Sequence, residues 1–148
     1  MAKLGSRASY GGTVVENISA AKTLDPSDSG KVFTLDLDGT FSITLPTAAQ
    51  AGAGWTARFI CSDTGSGTVK VIPNSAEDTL IGMIVSADSS AGESSETGVD
   101  ELVWASGNAA GDWAELICDG SNFYVSGMEH DNDRSEERRV GKECRSRW

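Results

Sequence analysis

The feature that most constrains this chain is a strict alternation of apolar and polar residues in residues 31–46, KVFTLDLDGTFSITLP. Alternation with a period of two is typical of a β-strand that buries one face. An Asp-Gly pair, Asp38-Gly39, separates the two alternating runs, and this pair is favoured in type I′ turns because both central residues there adopt positive φ. The segment therefore predicts a tight hairpin in an antiparallel sheet with one buried side. The apolar positions are Phe33, Leu35, Leu37, Phe41, Ile43 and Leu45.

Further short strands follow along the chain, separated by Gly, Pro, Asn and Asp turn residues. The strand-like segments are WTARFICS, TVKVIP, TLIGMIVS, DELVWAS and WAELICDGSNFYVSG. The last one predicts a second hairpin around residues 119–122, and Gly82 predicts a kink or bulge in a buried strand. We expect residues 87–99 to form an exposed loop, because they are almost entirely small and polar, and TAAQAGAG to form at most one helical turn.

This pattern predicts an all-β fold: an antiparallel sandwich or jelly-roll-like module, or a small barrel, of about 7–9 short strands with no substantial helix. Residues 21–128 form the predicted β-sandwich domain. Residues 1–20 are expected to be an N-terminal arm that orders on a neighbouring subunit, or a first edge strand. Residues 129–133 are expected to be a flexible end.

Residues 134–148, RSEERRVGKECRSRW, differ from the preceding chain because they concentrate six cations in fifteen residues. A basic stretch with a terminal tryptophan is compatible with a nucleic-acid arm or a partner-binding tail, but Glu136, Glu137 and Glu143 weaken its field. The segment also resembles, codon by codon, a translated sequencing-library adapter. We interpret it as non-native, from an environmental or library read, and exclude it from fold reasoning.

Without that segment the chain is strongly acidic. Removing its six cations and three glutamates leaves 6 basic and 19 acidic side chains in residues 1–133, a net charge of −13. Such a surface repels phosphate and anionic lipid, so direct binding to nucleic acid or membrane is not expected. The sequence has no apolar run of membrane-spanning length and no signal-peptide h-region, so we expect a soluble protein that is assembled in a reducing cytoplasm. Cys61 and Cys118 are read as small buried hydrophobes, in preference to a disulfide.

The residues offer no recognisable catalytic or metal-binding motif. His130, the only histidine, follows the last predicted strand, so a Ser-His-Asp or Cys-His arrangement is not expected, and no catalytic, cofactor-binding or metal-ligating residue is assigned. Residues 25–30, DPSDSG, faintly resemble the start of an EF-hand loop, but Asp36 stands at the twelfth position instead of a bidentate Glu. An ordinary turn is the preferred reading. The tryptophans are expected to lie mostly in the core, and one at a polar rim would be a candidate subunit or sugar contact: Trp55, Trp104 and Trp113.

Four segments together carry a family resemblance: LDPSDSGKVFTLDLDGTFSITLPTAAQAG, GWTARFI, TVKVIPNSAEDTLIG and GDWAELICDGSNFYVSG. Over residues 21–127 they resemble small virion structural proteins of tailed, often marine, bacteriophages: capsid decoration, head-fibre or tail-fibre-like proteins. Phe123 stands where many relatives have Trp, and the acidic insertion at 89–100 is a departure from the group.

The resemblance implies a β-rich, trimeric module on the virion exterior with no enzymatic role. The leading hypothesis is therefore a homotrimer that binds the major capsid protein or another virion protein, and no cofactor is expected. We expect the N-terminal segment to act as its attachment arm. The alternative from another class is a carbohydrate- or receptor-binding module at a fibre tip, which exposed aromatics beside carboxylates in one groove would favour.

Overall fold

The structure, a computed structural model, describes residues 12–75, 78–86, 93–99, 101–105 and 108–130. These residues form eleven strands: β1 (Val15–Ile18), β2 (Lys22–Thr23), β3 (Lys31–Leu35), β4 (Phe41–Thr44), β5 (Ala53–Cys61), β6 (Val69–Ile72), β7 (Leu80–Ser86), β8 (Glu93–Val99), β9 (Leu102–Trp104), β10 (Trp113–Asp119) and β11 (Phe123–Glu129). A 3-10 turn (Pro26–Asp28) and a four-residue helix α1 (Ala48–Ala51) are the only described helical elements. The all-β class and the absence of a substantial helix are therefore confirmed over the described residues.

The strands form two mixed sheets. One has seven strands in the order β1-β3-β5-β10-β11-β7-β8, and the other has four in the order β2-β4-β6-β9. Five of the nine pairings between described strands are parallel. The predicted antiparallel arrangement is therefore wrong, and so is the predicted number of strands, since the described residues contain eleven.

The arrangement is mixed because the first six strands alternate between the two sheets. β1, β3 and β5 lie side by side in the larger sheet, while β2, β4 and β6 lie side by side in the smaller one. Strands β1 to β4 thus each pair in parallel with the strand two places further along the chain, as in the register of Phe33 with Phe59. A chain that crosses the core at every turn makes parallel neighbours, whereas one that turns within a sheet makes antiparallel ones.

The hairpin predicted at Asp38-Gly39 is one of these crossings. β3 and β4 lie in different sheets, and neither Asp38 nor Gly39 has the positive φ that a type I′ turn requires. The connection is an arch that is hydrogen-bonded to residues 62–67. Leu37 N–H donates to Asp63 Oδ1 at 2.9 Å, and Gly67 N–H donates to Leu37 O at 2.6 Å. Both runs bury their apolar face, so alternation alone does not distinguish an arch from a hairpin.

The second predicted hairpin is confirmed. β10 and β11 are antiparallel, with Leu116 opposite Val125 and Cys118 opposite Phe123. Gly120 has a φ of 97°, which glycine adopts without steric cost, and the Asp119 carboxylate accepts the N–H groups of the next turn residues at 2.8 Å.

The prediction of a loop over residues 87–99 is wrong for its second half, because β8 pairs antiparallel with β7. A segment without an apolar side-chain pattern can still form a strand, because its backbone hydrogen-bonds to the unpaired groups of a free sheet edge. Residues 87–92 lie outside the described residues. β7 is not a fully buried strand, since Met83 and Val85 are exposed.

Both sheets contribute to one hydrophobic core. The ring of Phe59, on β5 of the larger sheet, lies 5.4 Å from the ring of Phe33 and 6.1 Å from the ring of Trp104, on β9 of the smaller sheet. Trp55 packs edge-on against Phe123 at 5.9 Å. The two cysteines, Cys61 and Cys118, are buried free thiols, which confirms their reading as small hydrophobes.

The ends of the chain are described only in part. β1 lies at the edge of the larger sheet, and the His130 N–H after β11 donates to Asp112 Oδ1 at 2.7 Å. Residues 1–11 and 131–148 lie outside the described residues, so the attachment arm and the adapter-derived segment remain predictions. No helix of the described residues is long and apolar enough to span a membrane.

Candidate functional site: the outer face of the larger sheet

The outer face of four strands of the larger sheet carries many apolar side chains, although the alternate positions of a solvated sheet face are usually polar. Strands β5, β10, β11 and β7 are neighbours in this sheet, and their inward side chains fill the core. Their outward side chains include Ile60, Trp113, Ile117, Tyr124, Met128, Ile81, Met83 and Val85. We call this surface the outer face.

Exposure separates this surface from the rest of the described molecule. Of the eight exposed large hydrophobic residues among the described ones, six lie on this side of the larger sheet: Val15, Met83, Val85, Ile117, Tyr124 and Met128. By contrast, the outward side chains of the smaller sheet include Ser42, Thr44 and Lys70. The apolar exposure is therefore concentrated on one side, as expected of an interaction surface.

Arg58 lies on β5, the first of the four strands of the outer face, and is opposite Glu115 in the β5–β10 register. Its guanidinium carbon lies 4.3 Å from the ring centroid of Trp113, a cation–π contact. The Arg58 Nε atom is buried without a hydrogen-bond partner, and no carboxylate of the described residues is within salt-bridge distance of the guanidinium. Arg58 and Glu115 are thus cross-strand neighbours of opposite charge on the outer face, without an ion pair between them.

At one end of the outer face, the Tyr124 side chain is hydrogen-bonded to the β10–β11 turn. The Tyr124 hydroxyl donates to Asp119 Oδ2 at 3.1 Å. This hydrogen bond raises the pKa of Tyr124, and the turn N–H groups of Asn122 and Ser121 lower the pKa of Asp119. The exposed ring of Tyr124 is therefore held in a defined orientation.

A groove of about 190 Å³ runs between β9 and strands β10, β11 and β7, and its polar groups are already engaged. Asp112 is buried and accepts hydrogen bonds from Asn108 Nδ2 at 3.0 Å, Ala109 N at 2.8 Å and His130 N at 2.7 Å. Glu101 is paired with Lys70 at 2.9 Å. Two tryptophans, Trp104 and Trp113, line this groove. Trp104 is only 5% exposed and belongs to the core, so it offers no open ring for stacking a sugar.

A second group of charges closes the edge of the core beside β1. Lys22 pairs with Glu16, and Lys31 pairs with Glu16 and with the buried Asp28. The Lys22 hydrogen bond is the main cause of the lowered pKa of Glu16, and the Asp28 hydrogen bond is the main cause of the raised pKa of Lys31. These pairs satisfy one another and leave no free ligand group.

Residues 25–30, the faint EF-hand resemblance, form a capped 3-10 turn. Asp25 Oδ1 accepts the Ser27 N–H at 2.7 Å, and Asp28 Oδ2 accepts the Asp25 N–H at 3.0 Å. This reciprocal capping box accounts for both carboxylates.

A cation could be held by one acidic cluster that the sequence reasoning missed. Carboxylate oxygens of Asp36, Asp38 and Asp63 lie within 4.8 Å of one another at the β3–β4 arch. Two of them already cap the arch, since Asp36 Oδ1 accepts the Asp38 N–H at 3.0 Å and Asp63 Oδ1 accepts the Leu37 N–H. Capping the arch is sufficient to explain their positions.

The structure places the three tryptophans on different sides of the larger sheet. Trp55 and Trp104 are buried in the core, whereas Trp113 is half-buried on the outer face beside Arg58. Sequence reasoning noted a rim tryptophan as a candidate subunit contact but missed the outer face as a whole. The available signal was apolar residues at the outward positions of predicted strands, such as Ile60, Ile117 and Tyr124.

Comparison with known proteins gives no match to this chain among protein families, curated proteins or solved structures.

Proposed function

We propose that this chain is a non-enzymatic structural subunit of a bacteriophage virion, which decorates the capsid exterior or forms part of a head or tail fibre. The observation that carries the proposal is the apolar outer face of the larger sheet, on an otherwise strongly acidic protein. A surface of this kind suits an assembly subunit, because a contiguous apolar patch associates specifically while like charges elsewhere oppose non-specific contact.

The sequence resemblance supplies the particular assembly. It supports a homotrimer located in the virion, bound to the major capsid protein or another virion protein, with the N-terminal segment as attachment arm. We also propose that the two sheets are the layers of a sandwich, since the rings of Phe59 and Trp104 lie against each other across the core.

Binding to virion particles tests this proposal. The full chain is mixed with expanded, DNA-free phage heads, and with tail fractions in parallel, and bound protein is separated by sedimentation. We expect saturable binding to one of these structures, with a fixed number of copies per particle. Binding to neither structure, up to concentrations of about 100 µM, would refute the virion role.

A further inference from the structure

We infer that the outer face is covered by a second copy of this chain, with Arg58 of one copy against Glu115 of a neighbouring copy. The inference rests on the proposed structural role and names the partner and the contacts of its self-association.

The first argument is charge complementarity. Residues 1–133 carry a net charge of −13, so two copies repel each other over most directions of approach. The β5–β10 part of the outer face is an exception, because Arg58 and Glu115 are adjacent in register and carry opposite charges. When the outer faces of neighbouring copies meet about a symmetry axis, Arg58 of each copy can meet Glu115 of the next copy.

The second argument is the incomplete environment of Arg58. Its guanidinium stacks on Trp113, yet its Nε atom is buried without an acceptor. A carboxylate brought by a neighbouring copy would accept hydrogen bonds from the terminal N–H groups of a guanidinium already oriented by stacking. Arginine, tryptophan, tyrosine and methionine side chains, all present here, are the types enriched in the centres of protein interfaces.

The third argument is area. Four strands about 4.8 Å apart, each about seven residues long at roughly 3.4 Å per residue, give a footprint of about 450 Å² per copy. Side-chain relief makes the accessible area larger than this footprint, so two faces together bury on the order of 1,000 Å² or more. That reaches the lower range of specific protein interfaces.

Sedimentation equilibrium of the full chain over a concentration series measures the association. Ile117→Lys on the outer face is compared with Val103→Lys on the smaller sheet, because these residues are 47% and 45% exposed and the charge change is the same. Added positive charge reduces the general repulsion between acidic copies in both variants. We expect association to weaken at least about tenfold in Ile117→Lys only. Equal association of both variants would overturn the inference.

Charge reversal tests the specific contact. Arg58→Glu and Glu115→Arg each place like charges together, so each is expected to weaken association, and the double reversal is expected to restore it. Lys70→Glu makes the same charge change as Arg58→Glu, but on the smaller sheet. It is the matched control for Arg58→Glu and should associate like the original chain. Circular dichroism and thermal unfolding of every variant verify that the fold is retained.

The outcomes separate this inference from the proposed function. An oligomer lost in the outer-face variants, without binding to virion particles, supports the inference and refutes the virion role. A chain that stays monomeric up to about 100 µM overturns the inference, even if it binds virion particles, and would assign the outer face to a different protein.

Discussion

The contact between Phe59 and Trp104 provides a direct test of how the two sheets face each other. Phe59 is fully buried on the larger sheet, Trp104 is 5% exposed on the smaller one, and their ring centroids are 6.1 Å apart. The perturbation is a double-mutant cycle with Phe59→Leu, Trp104→Leu and both together. Leucine keeps each site apolar while it removes the ring-to-ring contact.

The expected magnitude follows from burial and geometry. Replacing a buried aromatic ring by alanine costs about 3–5 kcal/mol, and leucine retains part of that burial, so each single change should cost about 1–3 kcal/mol of unfolding free energy. Aromatic pairs contribute about 0.5–1.5 kcal/mol beyond the area they bury. The two single costs should therefore exceed the cost of the double variant by about 0.5–1.5 kcal/mol.

Urea unfolding of the four proteins, analysed by linear extrapolation, measures these differences provided that the slopes agree. A second cycle combines Phe59→Leu with Val103→Ala, because Val103 is adjacent to Trp104 but points away from the core. This control pair should be additive within about 0.3–0.5 kcal/mol. If the Phe59 and Trp104 cycle were additive within the same limit as the control cycle, the two rings would not interact. That result would refute the packing of one sheet on the other.

Three further predictions concern single sites. Gly67→Ala should destabilise the fold by about 3 kcal/mol in urea unfolding, because its Cβ would lie 2.0 Å from the backbone carbonyl oxygen of Gly39 in the arch. Gly12→Ala meets nothing within 4 Å and should change stability by less than about 0.5 kcal/mol, so equal effects of the two changes would contradict the arch. Asp112→Ala should cost at least about 2 kcal/mol in the same assay, because three partly buried donors lose their buried acceptor. A loss below about 0.5 kcal/mol would count against that network. Since its hydrogen bond to Lys22 lowers the pKa of Glu16, the carboxylate stabilises the fold above the ordinary pKa of 4.5, and this contribution is lost as pH falls through the lower folded value. Glu16→Gln should accordingly be less stable than the original chain at pH 7 and equally stable at low pH in unfolding curves measured across this range, and a difference that does not depend on pH would refute this linkage.

Much of the burial pattern could be predicted from the alternation alone. The inward positions of β5, Trp55, Ala57, Phe59 and Cys61, are all buried as the period of two requires. The β10–β11 hairpin was also predictable, because its turn chemistry and its two alternating flanks are local in sequence. The outer face was predictable only in part: the outward positions of apolar residues such as Ile117 could be read from the alternation, but whether they are covered depends on which elements pack over that side of the sheet.

The sequence by itself determined which side chains point inward and where the chain turns, because alternation, glycine and proline act within a few residues. Only the tertiary structure decided which strands became neighbours. The segment around Asp38-Gly39 has the composition of a hairpin, yet the chain crosses to the other sheet there, and residues 62–67 contribute hydrogen bonds that hold the arch. Those bonds join residues 26 and 30 positions apart, and a local pattern carries no information about a partner so distant in sequence.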